Sequence, residues 1–133
     1  MHGIAAHFRL WLLLALAGLC GSNAALARES RQHEAPPWVT LAELPVEARQ
    51  TLRLIKQGGP FPYPHKDGST FGNYEKRLPI NARGYYKEYT VPTPGRRDRG
   101  PRRIVAGGKP ASEPTEFYYT GDHYRSFQRI REP

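Results

Sequence analysis

The chain has 133 residues, with 20 Lys and Arg against 12 Asp and Glu, a net charge of +8 and a single cysteine. That length supports one modest domain with one core, and a lone cysteine excludes an internal disulfide framework. The basic balance favours polyanionic partners (nucleic acid, anionic membranes or acidic polysaccharides) without choosing among them, since positive charge also serves solubility.

Arg9 precedes an apolar run over residues 10–19, followed by small residues and Ala25-Leu26-Ala27. A positive start, a short apolar region and an A-x-A site read as a secretory signal peptide over residues 1–27. The run is too short to span a bilayer as a transmembrane helix, which counts against the rival reading of an uncleaved anchor. A lipoprotein reading of Cys20 is the weaker for bulky Leu19 before it. Cleavage removes Cys20 and Arg9 and leaves a disulfide-free protein of about +7, exported to the periplasm or the medium. Residues 28–37 mix both charge signs and end in Pro36-Pro37, which reads as a disordered lead-in to a domain over 38–133.

Residues 38–41 read as a short strand or an apolar lead into a helix over 45–57. Ala48, Leu52 and Ile55 recur at helical spacing, Glu47 suits the positive end of the helix dipole, and Gly58-Gly59-Pro60 stops the helix. Residues 58–84 are rich in Gly, Pro, Asp and Asn, and a long ordered loop in a small domain is usually functional. β-prone runs follow at 85–91, 102–106, 117–120 and 126–130, separated by glycine-bearing turns. The expected fold is α+β: one main N-terminal helix on a twisted antiparallel sheet of four to five strands.

Alternation places Glu88 on one strand face with Tyr86 and Thr90, opposite Tyr85, Lys87 and Tyr89. A carboxylate among aromatics is either a solvated group or a placed base. Arg96, Arg97, Arg99, Arg102 and Arg103 form a basic turn. Read blandly, the turn is solvated; but Arg102 and Arg103 must point to opposite faces, so one of them can enter the Glu88 concavity while Arg99 reaches in from the turn. His123 follows Asp122 at the end of an aromatic strand. No Cys/His cluster or metal-binding motif accompanies it, so a proton donor suits it better than a ligand role, and no metal or other cofactor is expected. In Phe71-Gly72-Asn73-Tyr74-Glu75, glycine frees backbone groups to meet a flat ligand edge, and the Glu75 carboxylate only accepts. Guanine presents two adjacent donors where adenine presents an acceptor, so a carboxylate discriminates between them, with Phe71 available to stack. A base, an acid and fixed positive charge suffice to move a phosphoryl group, a combination that points to RNA cleavage.

These segments occur together in an order that resembles the microbial guanyl-specific ribonucleases, the family of barnase and the streptomycete Sa-type enzymes. The likeness runs from about Leu44 to Ile130. It is carried by Leu44-Pro45, Gly59-Pro60-Phe61-Pro62-Tyr63, Phe71, Asn73, Glu75, Glu88-Tyr89-Thr90-Val91, Arg99-Gly100, Arg102-Arg103-Ile104 and Tyr118-Tyr119-Thr120-Gly121-Asp122-His123-Tyr124. The resemblance implies Glu88 as general base, His123 as general acid, and Arg99 and Arg103 as phosphate clamps. It implies Glu75 as the guanine acceptor, with Phe71, Gly72, Asn73 and Tyr74 forming the base loop and Tyr124 bordering the phosphate. It further implies an RNA substrate, a monomer and an acidic barstar-like inhibitor as a partner. Two departures stand out: many relatives carry arginine where this chain has Tyr74, and the Sa-type disulfide has no counterpart. The rival readings are a cationic RNA-binding protein without catalysis and a cationic membrane-active protein, the latter poorly served by one narrow helix.

Overall fold

The computed structural model describes residues 34–133, so the expected signal segment and most of the expected lead-in lie outside the described residues. Strand β1 (Trp38–Thr40) leads through a 3-10 turn (Leu41–Glu43) into helix α1 (Val46–Gln57). Five strands follow: β2 (Ser69–Thr70), β3 (Tyr86–Thr90), β4 (Arg103–Gly107), β5 (Glu116–Thr120) and β6 (Gln128–Arg131). They form one six-stranded sheet in the order β1-β6-β5-β4-β3-β2.

The α+β class holds, but the sheet is larger than expected and not wholly antiparallel. β1 pairs with β6 in parallel, Val39 opposite Ile130, while β2 adds a two-residue antiparallel edge with Ser69 opposite Glu88. The Pro37 carbonyl, at the end of the expected lead-in, accepts from the Arg129 amide at 2.7 Å and so continues the β1–β6 edge.

Helix α1 starts one residue later than the sequence suggests. Pro45 stands before it in extended conformation and its carbonyl receives the Ala48 and Arg49 amides. Gly58 ends it in the left-handed region at φ 84°, where a side chain would be strained. Ala48, Thr51, Leu52 and Ile55 form the buried stripe. It packs with Val91, Ile104, Ala106, Phe117 and Ile130 on one sheet face.

The opposite face is also covered. Leu78, Tyr86, Val105, Tyr118 and Phe127 make a second, smaller core, flanked by Phe71, Tyr85 and Tyr124. β4 is therefore buried along its whole length. This double burial makes a rigid floor, from which alternate side chains rise toward the second face.

Candidate active site

Cross-strand register puts the expected residues on that second face. Thr90 lies opposite Arg103, Arg103 opposite Thr120, and Glu88 opposite Val105. Side chains two apart share a face, so Glu88, Thr90, Arg103 and Thr120 rise together. Arg102 points the other way, toward α1, where its guanidinium stands 3.9 Å from Glu47. Of the two arginines left open by alternation, Arg103 is the one on the Glu88 face.

The glutamate is half-buried and stands 4.0 Å from Arg99 Nη2. Arg99 is aimed by Thr90, whose hydroxyl accepts from Nε and Nη2 at 3.1 and 2.9 Å. Thr90 is itself held by Asp67, whose Oδ1 accepts from its amide at 2.6 Å. Arg103 is buried, and its Nη1 donates to the carbonyls of Gly100 and Arg102 at 2.9 and 2.7 Å. Its Nε has no hydrogen-bond partner among the described residues. A buried cation fixed by neutral carbonyls keeps its full charge for whatever lies above it.

Tyr124 lies there. Its phenol faces both Glu88 and Arg103: burial, then the glutamate's negative charge, push it up to about 12, against the opposing pull of Arg103. Its ring stacks on Phe71 at 5.1 Å and lies 4.8 Å from His123.

His123 is exposed in the turn between β5 and β6, at φ 55°, and Tyr124 follows at φ 71°. Two consecutive left-handed non-glycine residues are strained backbone that the surroundings must enforce. The His123 amide donates to the Pro101 carbonyl at 3.0 Å and the Tyr124 amide to the Thr120 hydroxyl at 3.1 Å. Asp122 closes the turn by accepting from the Thr120 hydroxyl at 2.9 Å and from the Ser126 amide and hydroxyl at 2.9 and 2.6 Å. Burial alone would push its carboxyl up. The bonds from Ser126, Thr120 and the Arg125 amide outweigh that and hold it below the ordinary value.

The loop over residues 71–75, the expected base loop, forms the far wall. Asn73, at φ 51°, is fixed by a reciprocal pair of bonds with the Leu78 backbone at 2.9 and 3.0 Å. Gly72 lies under the Tyr74 ring, where an added Cβ would come within 2.4 Å of a ring carbon. Tyr74 is otherwise open to solvent, and the exposed Glu75 carboxylate pairs with Arg77. Loop and turn enclose a cleft of about 580 Å³ that Glu88, His123, Tyr124 and residues 71–75 line together. A second groove of about 470 Å³, lined by Arg96, Asp98, Arg99 and residues 100–101, meets it at His123. Arg103 contributes from beneath and does not line either space.

Thr90 shares the Glu88 face by strand alternation, but its role in aiming Arg99, and that of Asp67 in holding Thr90, appear only in the fold. Arg77 and Arg125 carry no signal in the sequence and are visible only once the loops fold. Among the described residues no group of three His, Cys, Asp or Glu converges as a metal site, and no helix is long and apolar enough to cross a membrane.

A ribonuclease family model matches residues 27–131. Guanyl-specific ribonuclease St of Saccharopolyspora erythraea is 53% identical over 90 residues, covering 68% of this chain and 83% of the relative. Guanyl-specific ribonuclease Sa of Kitasatospora aureofaciens is also 53% identical, over 92 residues, covering 69% and 91%. A crystal structure of ribonuclease Sa2 with guanosine-2'-cyclophosphate superposes with a TM-score of 0.66 at 47% identity, over 74% of this chain and 98% of that one. Ribonuclease Sa2 in complexes with mononucleotides gives 0.67 at the same identity, over 74% and 96%. On sequence and fold alike, the chain belongs to the microbial guanyl-specific ribonuclease family.

Proposed function

We propose that the protein is an endoribonuclease that cleaves single-stranded RNA after guanosine without a metal ion. The observation that carries this reading is that Glu88 and His123 line one cleft whose far wall is the 71–75 loop, with Arg99, 4.0 Å from Glu88, in the groove that joins it at His123. Glu88 takes the proton from the ribose 2'-hydroxyl, and O2' attacks phosphorus. The P–O5' bond breaks as protonated His123 delivers its proton to the departing O5'. Arg99 and, from below, Arg103 stabilise the charge that builds on the phosphoryl oxygens. The product is a 2',3'-cyclic phosphate. It is hydrolysed more slowly to the 3'-phosphate, with acid and base exchanging roles.

Glu75 accepts the two guanine donors, while Phe71, Gly72, Asn73 and Tyr74 frame the base and Tyr124 borders the phosphate. The groove past His123 gives the leaving strand a basic path. DNA, lacking the 2'-hydroxyl, is not cleaved.

The test is incubation of the purified protein with GpC, ApC and UpC in the presence of EDTA, resolving cyclic phosphates chromatographically. Rapid release of the cyclic guanosine phosphate is expected. Equal rates on all three would remove Glu75 from its role, loss of activity in EDTA would contradict the metal-free mechanism, and salt-sensitive binding without cleavage would favour the non-catalytic cationic RNA binder.

The same reading makes residues 1–27 an export signal, residues 38–133 the catalytic domain, and the mature protein a secreted monomer whose basic cleft suits an acidic inhibitor protein. N-terminal sequencing of exported protein should begin at Arg28; recovery beginning at Met1 would contradict cleavage.

A further inference from the structure

Arg77 follows the base loop, and one of its nitrogens serves both walls of the cleft. Nη1 donates to the Tyr124 carbonyl at 3.0 Å and also pairs with the Glu75 carboxylate. Tyr124 directly follows His123, so Arg77 ties the proposed base acceptor to the turn that presents the proposed acid. Among the described residues, no other side-chain hydrogen bond joins these two pieces; apolar ring contacts, the Phe71–Tyr124 stack and the Phe71–Phe127 edge contact, link them otherwise.

Glu75 otherwise has no described hydrogen-bond partner. An exposed, unrestrained glutamate must lose its rotamer freedom when a base docks, and that cost weakens discrimination. A residue that holds the carboxylate in place beforehand removes part of it. The carboxylate offers about four acceptor positions, so one arginine contact leaves room for both guanine donors.

We propose that Arg77 is a positioning residue for base selectivity: it sets the Glu75 carboxylate against the His123–Tyr124 turn, so that guanine meets an acceptor already oriented. The proposal rests on the reading of Glu75 as the guanine acceptor. Arg77 and Glu75 are both exposed, and solvent screening limits the size of the effect.

The experiment measures kcat/KM on GpC and ApC for the parent, Arg77→Ala, Arg77→Lys, Glu75→Gln and the Arg77→Ala/Glu75→Gln double variant. Arg77→Ala should lower the GpC-to-ApC ratio by roughly two- to fivefold, the range open to an exposed ion pair. Lysine keeps the charge but lacks the planar fork, so Arg77→Lys should recover only part of the ratio. In the Glu75→Gln background, removing Arg77 should leave the ratio unchanged, since its target is gone. Equal losses on both substrates, an unchanged ratio, or a loss that persists without Glu75 would overturn the proposal. A parent with no preference for GpC would overturn the guanine-acceptor reading as well. A parent that prefers GpC but is indifferent to Arg77 would overturn this inference alone.

Discussion

The end of the cleft proposed to hold the phosphate has Glu88, Arg99 and Arg103 sunk against the sheet, whereas the end proposed to hold the base stands in solvent. The Glu88 and Arg99 side chains are 20% and 23% exposed, and Arg103 is 3% exposed. At the other end the Glu75 side chain is 68% exposed and Tyr74 is 85% exposed. Charges that must act on a transition state are fixed before substrate arrives, where reorganisation would cost rate. Groups that only recognise a base can be completed by the base itself. In the proposed mechanism Glu88 and Arg103 stand on strands, Arg99 and His123 on turns between strands, and the base-recognition residues on an open loop.

The difference implies a ranked series of effects. Glu88→Gln and His123→Ala should each lower kcat on GpC by about a hundredfold to ten-thousandfold while leaving nucleotide binding nearly intact, as initial rates and calorimetry would check. Arg103→Ala should cost about a hundredfold to a thousandfold in kcat. It should also lower Tm, because the Gly100 and Arg102 carbonyls lose their donor. At the open end, Glu75→Gln should leave the ApC rate near the parent's and reduce the preference for GpC by about ten- to a hundredfold, the worth of hydrogen bonds to a charged acceptor. A change at Glu75 that lowered Tm as much as Arg103→Ala would erase the distinction between the two ends.

The smallest effects are on stability against pH. The Asp122 carboxyl lies below its ordinary value of 3.8 in the folded state. Its contribution is therefore complete above that value and is lost as pH falls through the folded one. Denaturant melts of Asp122→Asn should accordingly show a shallower acid decline than the parent. Tyr124 behaves in the opposite sense. Its value of about 12 exceeds the ordinary 10.0, so its contribution is complete below pH 10 and fades as pH rises to about 12. Tyr124→Phe should flatten that alkaline decline in part, since Tyr86 and Tyr118 are raised as well.

Much of this arrangement is legible in the chain because it follows from local pattern. The α1 stripe comes from helical spacing, and the common face of Tyr86, Glu88 and Thr90 from strand alternation. What escapes depends on distant pairing. Three residues at 38–40 are too few to show alternation, and their parallel partner lies at the other end of the sequence. The two-residue β2 carries no pattern at all. Alternation alone leaves Arg102 and Arg103 open, and only the family resemblance or the register with Thr90 and Thr120 selects Arg103. Asp67 and Arg77 act through loop contacts 23 and 47 residues away, which no spacing rule reaches.

That one carboxylate and one imidazole work on the same phosphodiester is best judged from the pH dependence of kcat/KM on GpC for the parent, Glu88→Gln and His123→Ala. A bell-shaped parent profile is expected, with the acidic limb absent from Glu88→Gln and the alkaline limb absent from His123→Ala. Both variants retaining the parent's full bell and rate would contradict the assignment of base and acid.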